Sequence, residues 1–178
     1  MTQFFNGEIN TDSVVGLILA LESYEAQQID LYFSSENGGC LPDAEVLIDY
    51  LSTSIKDITL IGHWCLVSAA LAVYLRAVCK KRLLPDTYGM VHIADIDVST
   101  KSIKNKDPWQ THLVSDVEAH NKTWLKERSD FFTRKEMVYL KGGGDLYLPH
   151  DRLVKYVDRF GLVLVEEPEK DEATADEN

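Results

Sequence analysis

Residues 58–78 of this chain read ITLIGHWCLVSAALAVYLRAV. The run Ile58–Gly62 is apolar and short, which is typical of a strand buried inside a sheet. The apolar run Leu66–Val78 predicts a helix. Lys80–Arg82 follows it, at the end where a helix dipole favours cations. Residues 58–82 therefore predict one strand-to-helix unit of an α/β fold.

The same alternation continues on both sides of this stretch. Strand patterns lie at Ile29–Phe33 and Tyr88–His92. Apolar residues spaced by three and four predict one helix before the strand at Ile29 and another before the strand at Ile58. Strands that alternate with helices imply right-handed crossovers and a mostly parallel sheet covered on both faces. A stripe of apolar residues predicts one long helix at Trp109–Arg128, and shorter helices and a closing strand at 162–165 follow it.

Length and composition predict one domain with an acidic tail. The chain has 178 residues, of which 45% are hydrophobic, so residues 1–165 suffice for one compact core. Residues 166–178 contain seven acids and one lysine, and almost no apolar side chain. We expect this tail to be disordered.

Charge and cysteine usage exclude several classes of protein. The net charge is -11, of which the tail contributes -6, and an acidic chain without a basic stripe is a poor nucleic-acid binder. The sequence has no long apolar run and no secretory leader pattern, so we expect neither a membrane span nor secretion, and a cytoplasmic location. Its three cysteines predict reduced packing residues. His63 and Cys65 lack further ligands at useful spacing, so we expect no metal site.

Three residues in separate segments could form a nucleophilic site. Ser68 would be the nucleophile, His92 the base that takes its proton, and Asp145 the carboxylate that orients the imidazole. The oxyanion would need backbone N–H donors, for which Gly39 and Ala69 are candidates. Each residue taken alone is more simply a packing, turn or capping residue. Their order along the chain is what favours the catalytic interpretation.

That order resembles the Clp-type (caseinolytic) serine peptidase family. The segment Lys81-Arg82, Leu84-Pro85 and Met90-Val91-His92 is similar to the family's Lys-Arg, Leu-Pro and Met-Ile-His, and counting back without a gap places the nucleophile on Ser68. The family's Ser-Pro-Gly-Gly turn corresponds to residues 36–39. Its late Asp-x-Phe-Leu element corresponds to residues 145–148.

The resemblance implies a fold, an activity and partners. The expected fold is the Clp/crotonase type, with repeated ββα turns, a mostly parallel sheet and a protruding long helix. The expected activity is cofactor-free peptide-bond hydrolysis through an acyl-enzyme on Ser68, acting on peptides or unfolded proteins. Members of this family form rings, so the resemblance also implies a homo-oligomer.

Some positions depart from the family pattern. Trp64 stands where the family has a glycine four residues before the serine. Gly62 allows a rival register in which Leu66 takes the serine's place, and the chain would then be a catalytically inactive scaffold or binding protein. Only three residues precede Phe4, at the first predicted strand. We therefore expect no classical docking to an ATP-dependent unfoldase.

Overall fold

The computed structural model describes residues 1–94 and 108–161, which fall into two compact units. The first unit consists of Met1–Gly89 and the segment that begins at Pro149, and the second is Met90–Leu148. The predicted closing strand at 162–165 and the acidic tail at 166–178 lie outside the described residues. The prediction of one domain over residues 1–165 stays a prediction.

Strands and helices alternate through the chain. In order they are β1 (Thr2–Asn6), α1 (Thr11–Ser23), β2 (Gln28–Ser35), α2 (Leu41–Thr53), β3 (Asp57–Val67), α3 (Ala69–Arg76), β4 (Lys80–Leu83), β5 (Tyr88–Val91), α4 (Pro108–Glu127), α5 (Arg134–Lys141), β6 (Leu146–Leu148) and α6 (His150–Phe160). The chain is therefore an α/β protein, as the sequence predicts. None of the described helices has both the length and the apolar character that a membrane span needs.

The sheet of the first unit is parallel wherever its pairing is resolved. Strand β2 pairs with β1 on one side and with β3 on the other, and β4 runs parallel to the first part of β3. In the order of strands, β5 follows β3 and β6 follows β5. The predicted mostly parallel sheet is confirmed.

Much of the core of the first unit lies on the face of this sheet that carries Leu31 and Leu60. Leu31 and Phe33 of β2 and Leu60 of β3 are fully buried there. Buried side chains of the surrounding helices complete this core, among them Val14, Leu17, Leu21, Leu47, Leu51, Leu71 and Val73. Since side chains alternate between the two faces of a strand, Phe5 is buried while its neighbour Phe4 is 61% exposed. The prediction of a sheet covered on both faces stays a prediction.

The helices of the second unit follow the predicted boundaries closely. Helix α4 spans Pro108–Glu127, one residue from the predicted 109–128 at each end. Thr133 caps α5 through a capping box, in which its hydroxyl accepts from the Glu136 N–H while the Glu136 carboxylate accepts from the Thr133 N–H. Between the two helices, Phe132 stacks on Trp124 at 6.3 Å.

Two predicted boundaries around β3 are wrong. The strand continues to Val67, and the helix starts at Ala69 rather than at Leu66. Residues 65–67 are apolar, so their pattern fits a buried strand and a buried helix equally, and pairing with β2 selects the strand. Lys80–Leu83 forms strand β4 instead of ending the helix. Lys81 nevertheless serves α3, because its Nζ donates to the Leu75 carbonyl at 3.1 Å.

Candidate active site

Ser68 lies at the sharp turn between β3 and α3. It precedes the first helical residue, Ala69, and has φ 52° and ψ -114°. A side-chain-bearing residue rarely adopts this conformation, which costs on the order of 1–3 kcal/mol and is concentrated at functional sites. A serine on a strained strand-to-helix turn presents its hydroxyl in the way a nucleophile requires.

The Gly38-Gly39 turn packs directly against Ser68. Gly38 has φ 64°, and a Cβ built on it would lie 2.7 Å from the Ser68 Cβ and 3.2 Å from the Ala69 nitrogen. Only glycine permits such a close approach of two backbone segments. The predicted neighbourhood of Gly39, Ser68 and Ala69 is therefore present in the first unit.

Hydrogen bonds to Ile9 fix the direction of this glycine turn. The Ile9 N–H donates to the Gly38 carbonyl at 2.7 Å, and the Cys40 N–H donates to the Ile9 carbonyl at 2.8 Å. The buried Ser35 hydroxyl also donates to the Gly38 carbonyl, at 3.2 Å. Because the N–H of a trans peptide unit points opposite to its carbonyl, and the Gly38 carbonyl faces Ile9, the Gly39 N–H points away from Ile9.

Among the described residues, two backbone donors close to Ser68 have no acceptor. The Ala69 N–H opens α3, where the first turn of a helix has no acceptor of its own. Within the described ranges, neither this group nor the Gly39 N–H donates to any other atom of the chain. Unpaired N–H groups at a helix start and a glycine turn can bind a developing oxyanion.

Strand β3 contains a bulge between Gly62 and Ser68. Phe33 of β2 is opposite Gly62, but Ser35, two residues further on, is opposite Leu66, four residues further on. Strand β3 therefore carries two additional residues at this point. Trp64, within the bulge, has φ 58°, so tryptophan occupies a left-handed conformation that glycine favours. Leu66, the serine's position in the rival register, is fully buried.

His92 and Asp145 meet in the second unit. His92 follows β5 directly, and its Nδ1 lies 3.6 Å from the Asp145 Oδ1. The two side chains are 31% and 52% exposed, so the pair borders solvent. Gly144, which precedes Asp145, lies against the Tyr139 ring, and a Cβ there would require that ring to move. The contact is longer than a hydrogen bond, yet catalytic hydrogen bonds are often long without substrate.

A side chain not predicted from the sequence holds the segment after His92. The Ala94 N–H donates to Asn121 Oδ1 at 2.9 Å, and Asn121 Nδ2 donates to the Ala94 carbonyl at 2.8 Å. Asparagine is a weak helix former, so its presence in the middle of α4 is the signal that could have identified it.

Other nucleophiles and metal ligands contribute little around Ser68. Cys65 is fully buried, and burial raises the pKa of its thiol, which keeps it in the unreactive protonated form. His63 is stacked edge-on against Phe4 and Tyr32, and burial lowers the pKa of its imidazole. In the ranges 1–94 and 108–161, no cluster of three or more His, Cys, Asp or Glu side chains could hold a metal ion.

The predicted residues thus form two groups, each inside one unit. Ser68, Gly39 and Ala69 lie together in the first unit, and His92 and Asp145 lie together in the second. The contact of Ser68 with His92 stays a prediction. No protein-family model and no curated protein matches this sequence.

Proposed function

We propose that this chain is a serine peptidase of the Clp type, with Ser68 as its nucleophile. The observation that carries the proposal is the strained turn at Ser68, closed on one side by Gly38. A core serine has no need of a positive φ, and a strained conformation persists only where the surrounding structure enforces it. The order of Ser68, His92 and Asp145 along the chain supplies the rest of the chemistry.

In this proposal the reaction has two halves. His92 takes the Ser68 proton as the hydroxyl oxygen attacks the peptide carbonyl, and Asp145 stabilises the imidazolium. The Gly39 and Ala69 N–H groups bind the oxyanion. The tetrahedral intermediate then collapses and its C–N bond breaks. His92 gives the proton to the leaving amine, and an acyl-enzyme on Ser68 remains. Water, deprotonated by His92, then releases the acid and regenerates Ser68.

The finer features of the resemblance belong to the same proposal. The fold would be the Clp/crotonase type, and the protein a homo-oligomeric ring in the cytoplasm, with α4 between subunits. Short peptides or unfolded segments would be the substrates, without a cofactor and without classical coupling to an ATP-driven unfoldase. The parallel sheet and the length of α4 support this part.

Two observations favour a second candidate, a Clp-like scaffold or binding protein without activity. Trp64 replaces the family's glycine in a left-handed conformation, and its side chain is 49% exposed. The His92–Asp145 contact of 3.6 Å is too long for a hydrogen bond. In that case the turn at Ser68 would keep its shape but lack an activated hydroxyl.

Labelling with a fluorophosphonate probe separates the two candidates. We expect the wild-type protein and a Ser23→Ala control to be labelled covalently, because Ser23 is an exposed serine outside the site. Ser68→Ala should lose labelling and the hydrolysis of short fluorogenic peptides while its melting temperature stays near that of the wild type. Labelling that persists in Ser68→Ala would assign the nucleophile elsewhere. A folded wild-type protein that is never labelled would favour the scaffold.

A further inference from the structure

We infer that Asn121 is a positioning residue for His92, an inference that rests on the proposed function. The carboxamide of Asn121 makes two hydrogen bonds to one residue, Ala94, accepting from its N–H at 2.9 Å and donating to its carbonyl at 2.8 Å. A side-chain amide that pairs in this way replaces a neighbouring strand. It satisfies the backbone where the ladder of β5 has already ended, at Val91.

The two hydrogen bonds between Asn121 and Ala94 form a clamp on the main chain close to His92. Ala94 is two residues after His92, and β5 ends at Val91, one residue before His92. His92 is therefore held on its N-terminal side by the sheet and on its C-terminal side by Asn121. Between the end of β5 at Val91 and the hydrogen-bonded Ala94, only the backbone of residues 92 and 93 can change conformation.

The orientation of the His92 ring depends on the backbone conformation of residues 92 and 93. Its Nδ1 faces the Asp145 Oδ1 at 3.6 Å, and a general base works only when its orientation is set before substrate arrives. A misplacement of about 1 Å, even from a distant substitution, can slow a reaction on the order of 100-fold. Asn121 itself bonds to Ala94 and not to His92, so its effect passes through the main chain.

Helix α4 has no need of asparagine at this position. Asparagine costs up to about 0.7 kcal/mol relative to alanine in a helix interior, so Asn121→Ala should favour the isolated helix. A substitution that improves helix propensity but slows the reaction would separate positioning from general stability. Asn121→Asp is the second variant, because a carboxylate keeps the acceptor for the Ala94 N–H and lacks the donor for its carbonyl.

The experiment compares wild type, Asn121→Ala, Asn121→Asp and a control, Lys122→Ala, whose exposed side chain lies next to Asn121 on α4. Three quantities are measured: the rate of fluorophosphonate labelling, kcat and KM for a short fluorogenic peptide, and hydrogen exchange at the Ala94 amide. We expect both Asn121 variants to lower the labelling rate and kcat by about tenfold or more, with KM unchanged. Exchange at Ala94 should accelerate in Asn121→Ala, and Lys122→Ala should match the wild type.

Each other outcome overturns a defined statement. Unchanged exchange at Ala94 in Asn121→Ala would show that the clamp does not hold the segment. Faster exchange with an unaltered labelling rate would show that the clamp does not position His92. Both results overturn the inference and leave the proposed function standing. A wild-type protein that is not labelled at all overturns the proposed function, and the inference with it.

Discussion

Ser68 and Trp64 both have a positive φ, which is rare for a residue with a side chain. In the described ranges, Asp86 is the one other residue with a side chain at positive φ. Two such residues only four positions apart point to a structural demand on this segment. At Ser68 the turn packs so closely against Gly38 that a Cβ on Gly38 would lie 2.7 Å from the Ser68 Cβ.

The contact between Gly38 and Ser68 can be tested by adding a single methyl group. Gly38 has φ 64°, and its new Cβ would lie 2.7 Å from the Ser68 Cβ and 2.8 Å from the Val67 carbonyl oxygen. We expect Gly38→Ala to lower the free energy of unfolding by about 2–4 kcal/mol, since strain and overpacking add. Urea unfolding measures this change. Fluorophosphonate labelling should slow by about tenfold or more as Ser68 is displaced.

Gly143→Ala is the matched control for this substitution. Gly143 has φ 81°, and no atom lies within 4 Å of the Cβ position. It should therefore show the strain alone, about 1–2 kcal/mol, with normal labelling. Equal costs for the two variants would contradict a steric contact at Ser68.

At the scale of elements, the bulge in β3 is the feature that shapes the site. The two additional residues allow the strand to continue to Val67 while Trp64 takes a left-handed conformation. Such bulges commonly re-aim side chains next to active sites. The strand therefore delivers Ser68, rather than Leu66, to the turn.

The strain at Trp64 predicts an inverted order of two substitutions. In a regular strand valine is more stable than asparagine. At φ 58° we expect Trp64→Asn to be more stable than Trp64→Val by about 1 kcal/mol, because asparagine tolerates left-handed backbone and a β-branched residue does not. Midpoints of urea unfolding give the comparison. Valine more stable than asparagine would contradict the left-handed bulge.

At the scale of the whole molecule, the core contains a polar atom that weakens it. Tyr74 is fully buried, and its hydroxyl has no hydrogen-bond partner among the described residues. A buried donor without a partner costs about 1–3 kcal/mol. Burial also raises the pKa of this phenol, since it disfavours the charged form.

Tyr74 consequently affects stability in two pH ranges. At neutral pH, Tyr74→Phe should raise the free energy of unfolding by about 1 kcal/mol, because the orphan hydroxyl is removed. Above the unfolded-state pKa of 10.0, the unfolded chain ionises before the folded one, so the wild type loses stability as pH rises through this value. Tyr74→Phe should lose less. Urea unfolding at pH 7, 9 and 10.5 measures both effects.

Tyr50 provides the contrasting variant. Burial, together with its bond to Glu22, raises the pKa of Tyr50 to about 12, and its hydroxyl donates to Glu22 Oε1 at 2.6 Å. Tyr50→Phe removes a satisfied hydroxyl, so it should destabilise the protein at neutral pH. A stability loss in Tyr74→Phe as well would show that the Tyr74 hydroxyl is not an orphan.

The sequence by itself determined the elements that are long and strongly patterned. The alternation of strands and helices, the parallel sheet and the long helix α4 follow from periodicity, because one buried face imposes a spacing on the residues that form it. Ser68, Gly39 and Ala69 could be selected only through the resemblance and its ungapped register, and Ser68 was predicted inside the helix rather than on the turn before it. His92 and Asp145 could be selected as a pair only from their order along the chain.

The tertiary structure decided what depends on contacts between distant residues. The limit between β3 and α3 was ambiguous in an entirely apolar run, and pairing with β2 placed it after Val67. Ser68, which has a positive φ, lies against Gly38, thirty residues earlier, and the segment after His92 is held by Asn121 on helix α4. Local sequence patterns carry no record of such approaches, because the energy that fixes them arises only when the chain has folded.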